Sequence, residues 1–243
     1  MRMFAFAHRN MKEILRDPLN VAFGLGFPLV LTAMLSAIQA NVPVPLFEIQ
    51  HLAPGIAVFG LSFMTLFSAT IIAKDRDSAL LQRLYATPLT PTDFILGYTL
   101  PMLPIALLQS TVCYAFALLM GLAPSIHILS AVLFILPISV FNVALGLLFG
   151  SVLHIKQVGG ICGALLTNLS AWLSGTWFDL ALVGGGFQKI AYALPFVHAV
   201  EMERAILAGN LRGALPHLWW VLGYAVLTFA AAVYLFLRQM KKQ

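Results

Sequence analysis

Six runs of apolar residues, separated by short polar or glycine- and proline-containing stretches, cover about 20–39, 53–73, 94–120, 128–150, 157–175 and 216–237. At about 1.5 Å of rise per residue, roughly 20 residues cross a hydrocarbon core of about 30 Å, so each run is predicted to span a membrane as a helix. The third run is too long for one straight crossing. Pro101 and Pro104 are expected to kink it, because proline removes a backbone donor and crowds the preceding turn.

Ahead of the first run, residues 3–17 repeat with the helical period. Phe4, Ala7, Met11, Ile14 and Leu15 share one face, and His8, Arg9, Lys12, Glu13 and Arg16 the other. That pattern predicts an interfacial helix over 1–18, lying in the headgroup plane with its apolar side down and ended by Asp17-Pro18. Between the second and third runs lies a polar hairpin, 74–93. Asp75 and Asp77 are expected to open a short helix, where carboxylates suit the positive end of the dipole. Leu80, Leu81 and Leu84 form its apolar stripe beside Arg76, Gln82 and Arg83, and Pro88 and Pro91 stop it. A second segment starts at Thr92-Asp93. The spacing admits two readings, a helix gripped by a soluble partner or an ordinary solvated loop.

Residues 176–215 are long for a connection and stay largely apolar. Phe187, Ile190, Ala191 and Leu194 make one short stripe, and Val197, Val200, Ala205 and Ile206 a second, with breaks at Gly184-Gly185-Gly186 and Pro195. Two short re-entrant helices dipping into the outer leaflet are predicted, with protein covering any non-helical backbone. Two further full spans do not fit in the length.

The composition changes the picture in one respect. With 60% apolar and 9% charged residues and a mean hydropathy of +0.92, the chain falls far below the roughly 25% charge of soluble domains. It reads as an all-α integral membrane protein. Its net charge of +5 matters less than where the basic residues fall. Arg2, Arg9, Lys12, Arg16, Lys74, Arg76, Arg83, Lys156, Arg238, Lys241 and Lys242 lie on one side, leaving Lys189, Arg204 and Arg212 on the other. The positive-inside rule then puts both ends and the 74–93 hairpin in the cytoplasm and 176–215 outside. No cleavable signal peptide is expected, since the first apolar run follows a basic stretch and remains in the protein.

Several chemistries are absent from the pattern. No Asp, Glu, Lys or Arg falls within the six runs, whereas proton- and ion-coupled transporters usually keep one at a cost of about 2.5 to 3.5 kcal/mol. The histidines, His8, His51, His127, His154, His198 and His217, form no H-x-x-x-H or H-E-x-x-H, and no metal site is expected. Cys113 and Cys162 sit inside apolar runs without C-x-x-C spacing. There is no G-x-S-x-G and no G-x-x-x-x-G-K-[ST], so neither catalysis nor ATP binding is expected of this chain. Phe23, Phe27, Phe59, Phe63, Phe67 and Trp172 suit either an apolar cargo or contact with lipid. Asn168, like the other uncharged polar residues within the runs, suits an interhelical hydrogen bond.

Three features together resemble the permease subunit of an ABC-2-type exporter of the daunorubicin-resistance kind. One is the amphipathic amino-terminal helix ending in Leu15-Arg16-Asp17-Pro18. Another is the hairpin Asp75-Arg76-Asp77, Ser78-Ala79, Leu80-Leu81-Gln82-Arg83-Leu84, Ala86-Thr87-Pro88-Leu89 and Gly97-Tyr98, in which Ser78-Ala79 and Gly97-Tyr98 replace the family's Gly-Thr and Gly-Lys. The third is Leu194-Pro195-Phe196-Val197-His198-Ala199, similar to the family's Asn-Pro-x-x-His element with Leu for Asn. The resemblance implies a type V exporter-like fold: six transmembrane helices, a cytoplasmic coupling helix and external re-entrant helices carrying Pro195, His198 and Glu201. It implies a dimer with a second permease copy, two separate ABC ATPase subunits, and ATP and Mg bound by those ATPases with no cofactor on this chain. Asp75, Arg76, Asp77, Leu80, Leu81, Leu84 and Tyr85 would couple to the ATPase. Phe23, Phe27, Phe63, Phe67, Asn168 and Trp172 would serve the pathway or dimer contact, with Gly24, Gly26, Gly159, Gly160 and Gly163 allowing close approach. The expected setting is the inner (plasma) membrane, with lipid around the chain and no nucleic-acid partner; the cargo would be a drug, antibiotic or lipid-like amphiphile. A stand-alone secondary transporter or channel, a membrane-embedded lipid enzyme and a sensor or immunity component are the competing classes.

Overall fold

The computed structural model describes residues 2–45, 47–78, 80 and 89–240, and all regular structure among them is helical. Helix α1 is Arg2–Leu15; one turn, Pro18–Val21, then leads into α2, Ala22–Gln39. Helix α3 is Ile49–Asp77, with a step at Leu61, and α4 is Pro91–Leu119. Helix α5 is His127–Val152. Helix α6 is made of three consecutive pieces, Ile155–Val158, Gly159–Leu166 and Thr167–Leu173. Helices α7, Gly185–Ala193, and α8, Pro195–Leu207, precede the last helix, α9, Leu211–Met240. Five of these, α2, α3, α4, α5 and α9, are long and apolar enough to cross a membrane. The expected span at 157–175 falls on α6, whose separate pieces are each shorter than that length.

Local chemistry accounts for most boundaries. Thr90 and Asp93 form a reciprocal capping box at the start of α4, with Pro91 in the first turn, where its missing N–H costs nothing. The ladder of α4 is interrupted at Leu100-Pro101, where the proline lacks a donor. Helix α9 begins at Leu211, ahead of the expected 216, because the Asn210 side chain accepts from Gly213 N at 3.0 Å and caps the first turn. Pro216 therefore lies inside that helix.

Two expectations are corrected. Helix α3 runs on to Asp77, so Asp75 and Asp77 sit in its last turn rather than opening a new helix. Their charges are met by tertiary partners instead of a helix dipole. On α1, the buried face is Phe6, Ala7, Asn10 and Ile14, while Phe4 and Leu15 are exposed. Gly97 makes room for that face. A Cβ there would come within 2.2 Å of the Phe6 ring, so its absence leaves the slot into which Phe6 docks.

Helix α5 is apolar all round, on the face buried against its neighbours and on the exposed face of Leu129 and Leu133 alike. It lies against α9, α3 and α4, with the largest contact along α9. Against α3 the backbones come close. Thr65 Oγ1 donates to the Asn142 carbonyl at 2.8 Å. A Cβ on Gly146 would meet Ser68 Cβ at 2.5 Å and the Thr65 carbonyl at 2.7 Å. A backbone oxygen cannot swing aside as a side chain can. Gly146→Val is therefore expected to lose about 1–3 kcal/mol of stability by overpacking, read as a lower thermal midpoint of the detergent-solubilised chain, whereas Gly223→Val, with open space around the Cβ position, should shift it little.

Candidate functional site

The base of the 74–93 hairpin is a buried polar knot. Asp75 is 1% exposed, and a carboxylate so placed needs both charge and hydrogen bonds. Arg9 of α1 supplies both with a two-pronged contact, Nη1 to Oδ2 at 2.5 Å and Nη2 to Oδ1 at 2.8 Å. Tyr98 of α4 donates its hydroxyl to Oδ2 at 2.9 Å. Beside them, Asn10, the next residue of α1, donates to the Gly97 carbonyl of α4 at 2.9 Å. The Phe6 ring meets Tyr98 edge-on at 5.0 Å and Phe94 at 5.7 Å. Burial alone would lower the Arg9 guanidinium; the bonds and charge of Asp75 outweigh that and hold it above its ordinary value. Lys74 hydrogen-bonds Glu13, and that bond holds the Glu13 carboxyl below the usual carboxylate range.

The other two members of the triplet reach the opposite way. Arg76 donates to the Gly150 carbonyl at 3.2 Å and to the carbonyls of Ser151 and Leu153, closing the carboxyl end of α5 where acceptors are left over. Asp77 Oδ2 accepts from Ile155 N at 3.1 Å, at the amino end of α6. Thus Asp75, Arg76 and Asp77, expected as ATPase contacts, each have partners within the chain. Leu80 is helical and half-buried. Leu81, Leu84 and Tyr85, and most of the expected coupling helix, lie outside the described residues.

Of the expected pathway residues, Phe27, Phe63 and Phe67 join Phe59 in one aromatic run, with centroids 6.1 to 6.5 Å apart. Phe63 and Phe67 are buried, while Phe23 and Phe27 are exposed. Gly24 makes the run possible on α2: a Cβ there would stand 2.6 Å from Phe67 Cζ. Asn168 and Trp172 belong to another feature, an open groove of about 540 Å³ along α6 that includes Gly160 and Leu165. Asn168 donates back to the Ala164 carbonyl at 2.8 Å. Gly26, Gly159 and Gly160 face open space, and Gly163 rests on Leu66.

At the far end of the bundle, Pro195 opens α8, and His198 is held between two elements. Its Nε2 donates to the Tyr192 carbonyl at 3.0 Å, which leaves Nδ1 to accept from His217 Nδ1 at 2.8 Å. The ring also stacks on Trp220 at 4.8 Å and 10°. Glu201 accepts from Arg204 at 3.1 Å, and Arg204 continues to the Gly175 carbonyl at 3.0 Å and the His51 carbonyl at 3.3 Å. Two residues on from Glu201, across α8, Glu203 is fully buried, and Tyr114 of α4 donates its hydroxyl to Oε2 at 2.9 Å. Sequence reading passed over Arg9, Tyr98, Glu203 and Tyr114. A signal existed for Glu203: it falls three residues after Val200 and three before Ile206, on the apolar stripe itself.

Five membrane-length apolar helices wrapped on one core define a multi-pass membrane protein. The sequence model of the ABC-2 type transporter family matches residues 1–208, and the chain belongs to that family. It is accordingly the membrane-spanning permease subunit of an ABC transporter and is not itself catalytic; permeases of this family generally work with an ABC ATPase partner. No curated protein matches the chain in sequence.

The knot carries a stability prediction. Arg9→Met leaves the Asp75 carboxylate buried beside Tyr98 alone, and should cost about 3 kcal/mol, the lower end for breaking a buried pair, because Arg9 itself is one-third exposed. Adding Asp75→Asn to Arg9→Met should recover part of that loss, since a neutral amide tolerates the site better. A thermal-unfolding double-mutant cycle measures the non-additivity.

Proposed function

We propose that this permease is half of the membrane portion of an ATP-driven exporter, with the 74–93 hairpin as its coupling element. The observation that carries the reading is how the hairpin is rooted. Its entry is tied to α1 through Asp75, to the end of α5 through Arg76 and to the start of α6 through Asp77. Its exit is capped by Thr90 and Asp93 into α4. A push on the tip is thereby delivered to four helices at once, which is what a lever requires. ATP-driven closure of two ATPase subunits, with ATP and Mg bound there, would bias the permease between states through contacts that differ in the two.

In this reading α6 is the sixth crossing, both ends of the chain lie in the cytoplasm of an inner-membrane protein, and 176–215 is an external segment whose α7 and α8 dip into the outer leaflet. The basic residues clustered on one side support that orientation. A second permease copy, identical or similar, would cover the open α6 groove and the exposed glycines Gly26, Gly159 and Gly160. The cargo would be apolar or amphiphilic, passing the aromatic run of Phe27, Phe59, Phe63 and Phe67.

Co-purification tests the coupling element directly. Wild-type chain in mild detergent should retain its cognate ATPase, and Leu84→Asp should lose it while the permease keeps its thermal midpoint. Retention by the variant would remove the hairpin from the coupling role. Failure of wild type to retain any ATPase, together with flux from the reconstituted chain alone, would favour a stand-alone transporter or channel.

A further inference from the structure

Glu203 stands in an unusual place. It belongs to α8, which is not one of the five membrane-length helices, yet its side chain is fully buried where α8 packs against α3, α5 and α9. Its Oε2 accepts from Tyr114, and its Oε1 has no hydrogen-bond partner among the described residues. No cation faces it. Arg204, the next residue, turns away to Glu201 and to the carbonyls of Gly175 and His51. Of the other titratable groups on the elements around it, Cys113 and Tyr114 come from α4, with Cys113 engaged by Gln109. From α3 comes His51, whose carbonyl Arg204 uses. His217 of α9 is paired with His198 of α8, and His127 of α5 lies against Gly209. Arg212 of α9 and Lys189 of α7 are exposed, and none of these groups supplies a positive charge to the carboxyl.

An ionised carboxylate with one neutral hydrogen bond and no counter-ion is the arrangement that burial penalises most; a neutral acid with its proton on Oε1 is not. Arg9 and Asp75 at the other end of the bundle show the contrasting arrangement, a buried carboxyl met by a two-pronged guanidinium. We propose that Glu203 is a proton-binding site of the external segment: neutral while α8 is seated against Tyr114, and ionised when α8 lifts toward external water. Lifting breaks the Oε1–H bond, the proton passes to water, and the electron pair remains on the carboxylate. Opening at this end thus releases one proton to the outside. The assignment of "outside" rests on the orientation proposed above; the proton site itself does not.

The sign follows from linkage. Burial pushes the Glu203 carboxyl up to about 8, the Tyr114 bond offsetting part of that, while a lifted, hydrated Glu titrates at about 4.3. The seated state therefore binds the extra proton between those values. Its advantage is fully present below the lower one, falls as pH rises, and is gone above the upper one.

Two measurements on the full chain in lipid nanodiscs test this. The first is hydrogen–deuterium exchange of 195–207, corrected for the pH dependence of intrinsic amide exchange. In wild type the opening of this segment should rise by up to about tenfold per pH unit between pH 6 and 8, as one linked proton requires, and Glu203→Gln should make it flat. The second is infrared absorption in the carboxylic-acid C=O region at pH 6. Wild type should show a band that Glu203→Gln lacks and that Tyr114→Phe keeps at a shifted frequency. A wild type without that band, or the same pH response in wild type and Glu203→Gln, would overturn the proposal. So would a response to sodium at fixed pH in place of the response to pH. Neither measurement involves an ATPase, so this proposal and the coupling role of the hairpin stand or fall separately.

Discussion

A carboxylate removed from water dictates much of how this chain is assembled. Asp75 lies at the end of a long apolar helix and is almost completely covered. A carboxyl group so covered needs partners, and a guanidinium and a phenol are brought to it from elsewhere. Arg9 comes from a helix that precedes every membrane-length segment, and Tyr98 from the start of α4. Satisfying one side chain therefore fixes α1 across the ends of two membrane helices. Phe6 and Asn10 can then use Gly97, one as a slot and the other as an acceptor. The neighbouring Arg76 and Asp77 extend the same arrangement to α5 and α6 with backbone groups that helix ends leave over.

The far end of the bundle handles its acids differently. Glu201 and Arg204 pair at the rim, and Arg204 also gathers the backbone carbonyls of His51 and Gly175, so that charge is used to hold α8 over the ends of α3 and α6. Glu203 has only a neutral donor. The contrast with Asp75 is one of electrostatics rather than burial, since both are covered. One end of the permease is tied by full charges and resists change. The other holds α8 by the charged Arg204 at its rim and, beneath it, by a hydroxyl contact, a histidine pair and an aromatic stack.

Between the two ends, glycine decides how closely helices approach. Gly146 and Gly150 let α5 come within backbone contact of α3, and Gly24 accepts the edge of Phe67. Both α2 and α6 contain a π-wound stretch, Ala22–Gly26 and Gly159–Leu166, rich in glycine. Such stretches widen the helix and often mark functional positions. The glycines of these stretches with nothing against them within the chain, Gly26, Gly159 and Gly160, lie on the faces that remain available to a second molecule.

The sequence by itself determined the membrane class, the position of the long apolar helices, the amino-terminal helix and the breaks at proline and glycine, because hydrophobic period, length and missing donors act within a few residues along the chain. The second hairpin segment, expected from Thr92-Asp93, starts one residue earlier at Pro91 behind the Thr90 cap. Tertiary structure alone decided which face of α1 is buried, since Phe4 and Phe6 are equally apolar and are told apart by the Gly97 slot and the Arg9–Asp75 contact. It also decided that Asp75 ends a helix instead of opening one, that Arg76 closes α5, and that Glu203 is covered while Glu201 is not. Those outcomes depend on partners that are 66 residues away for Asp75 and 89 for Glu203. Periodicity reports which side of a helix shuns water, but a hydrogen-bond partner that far along the chain is chosen only when the helices pack.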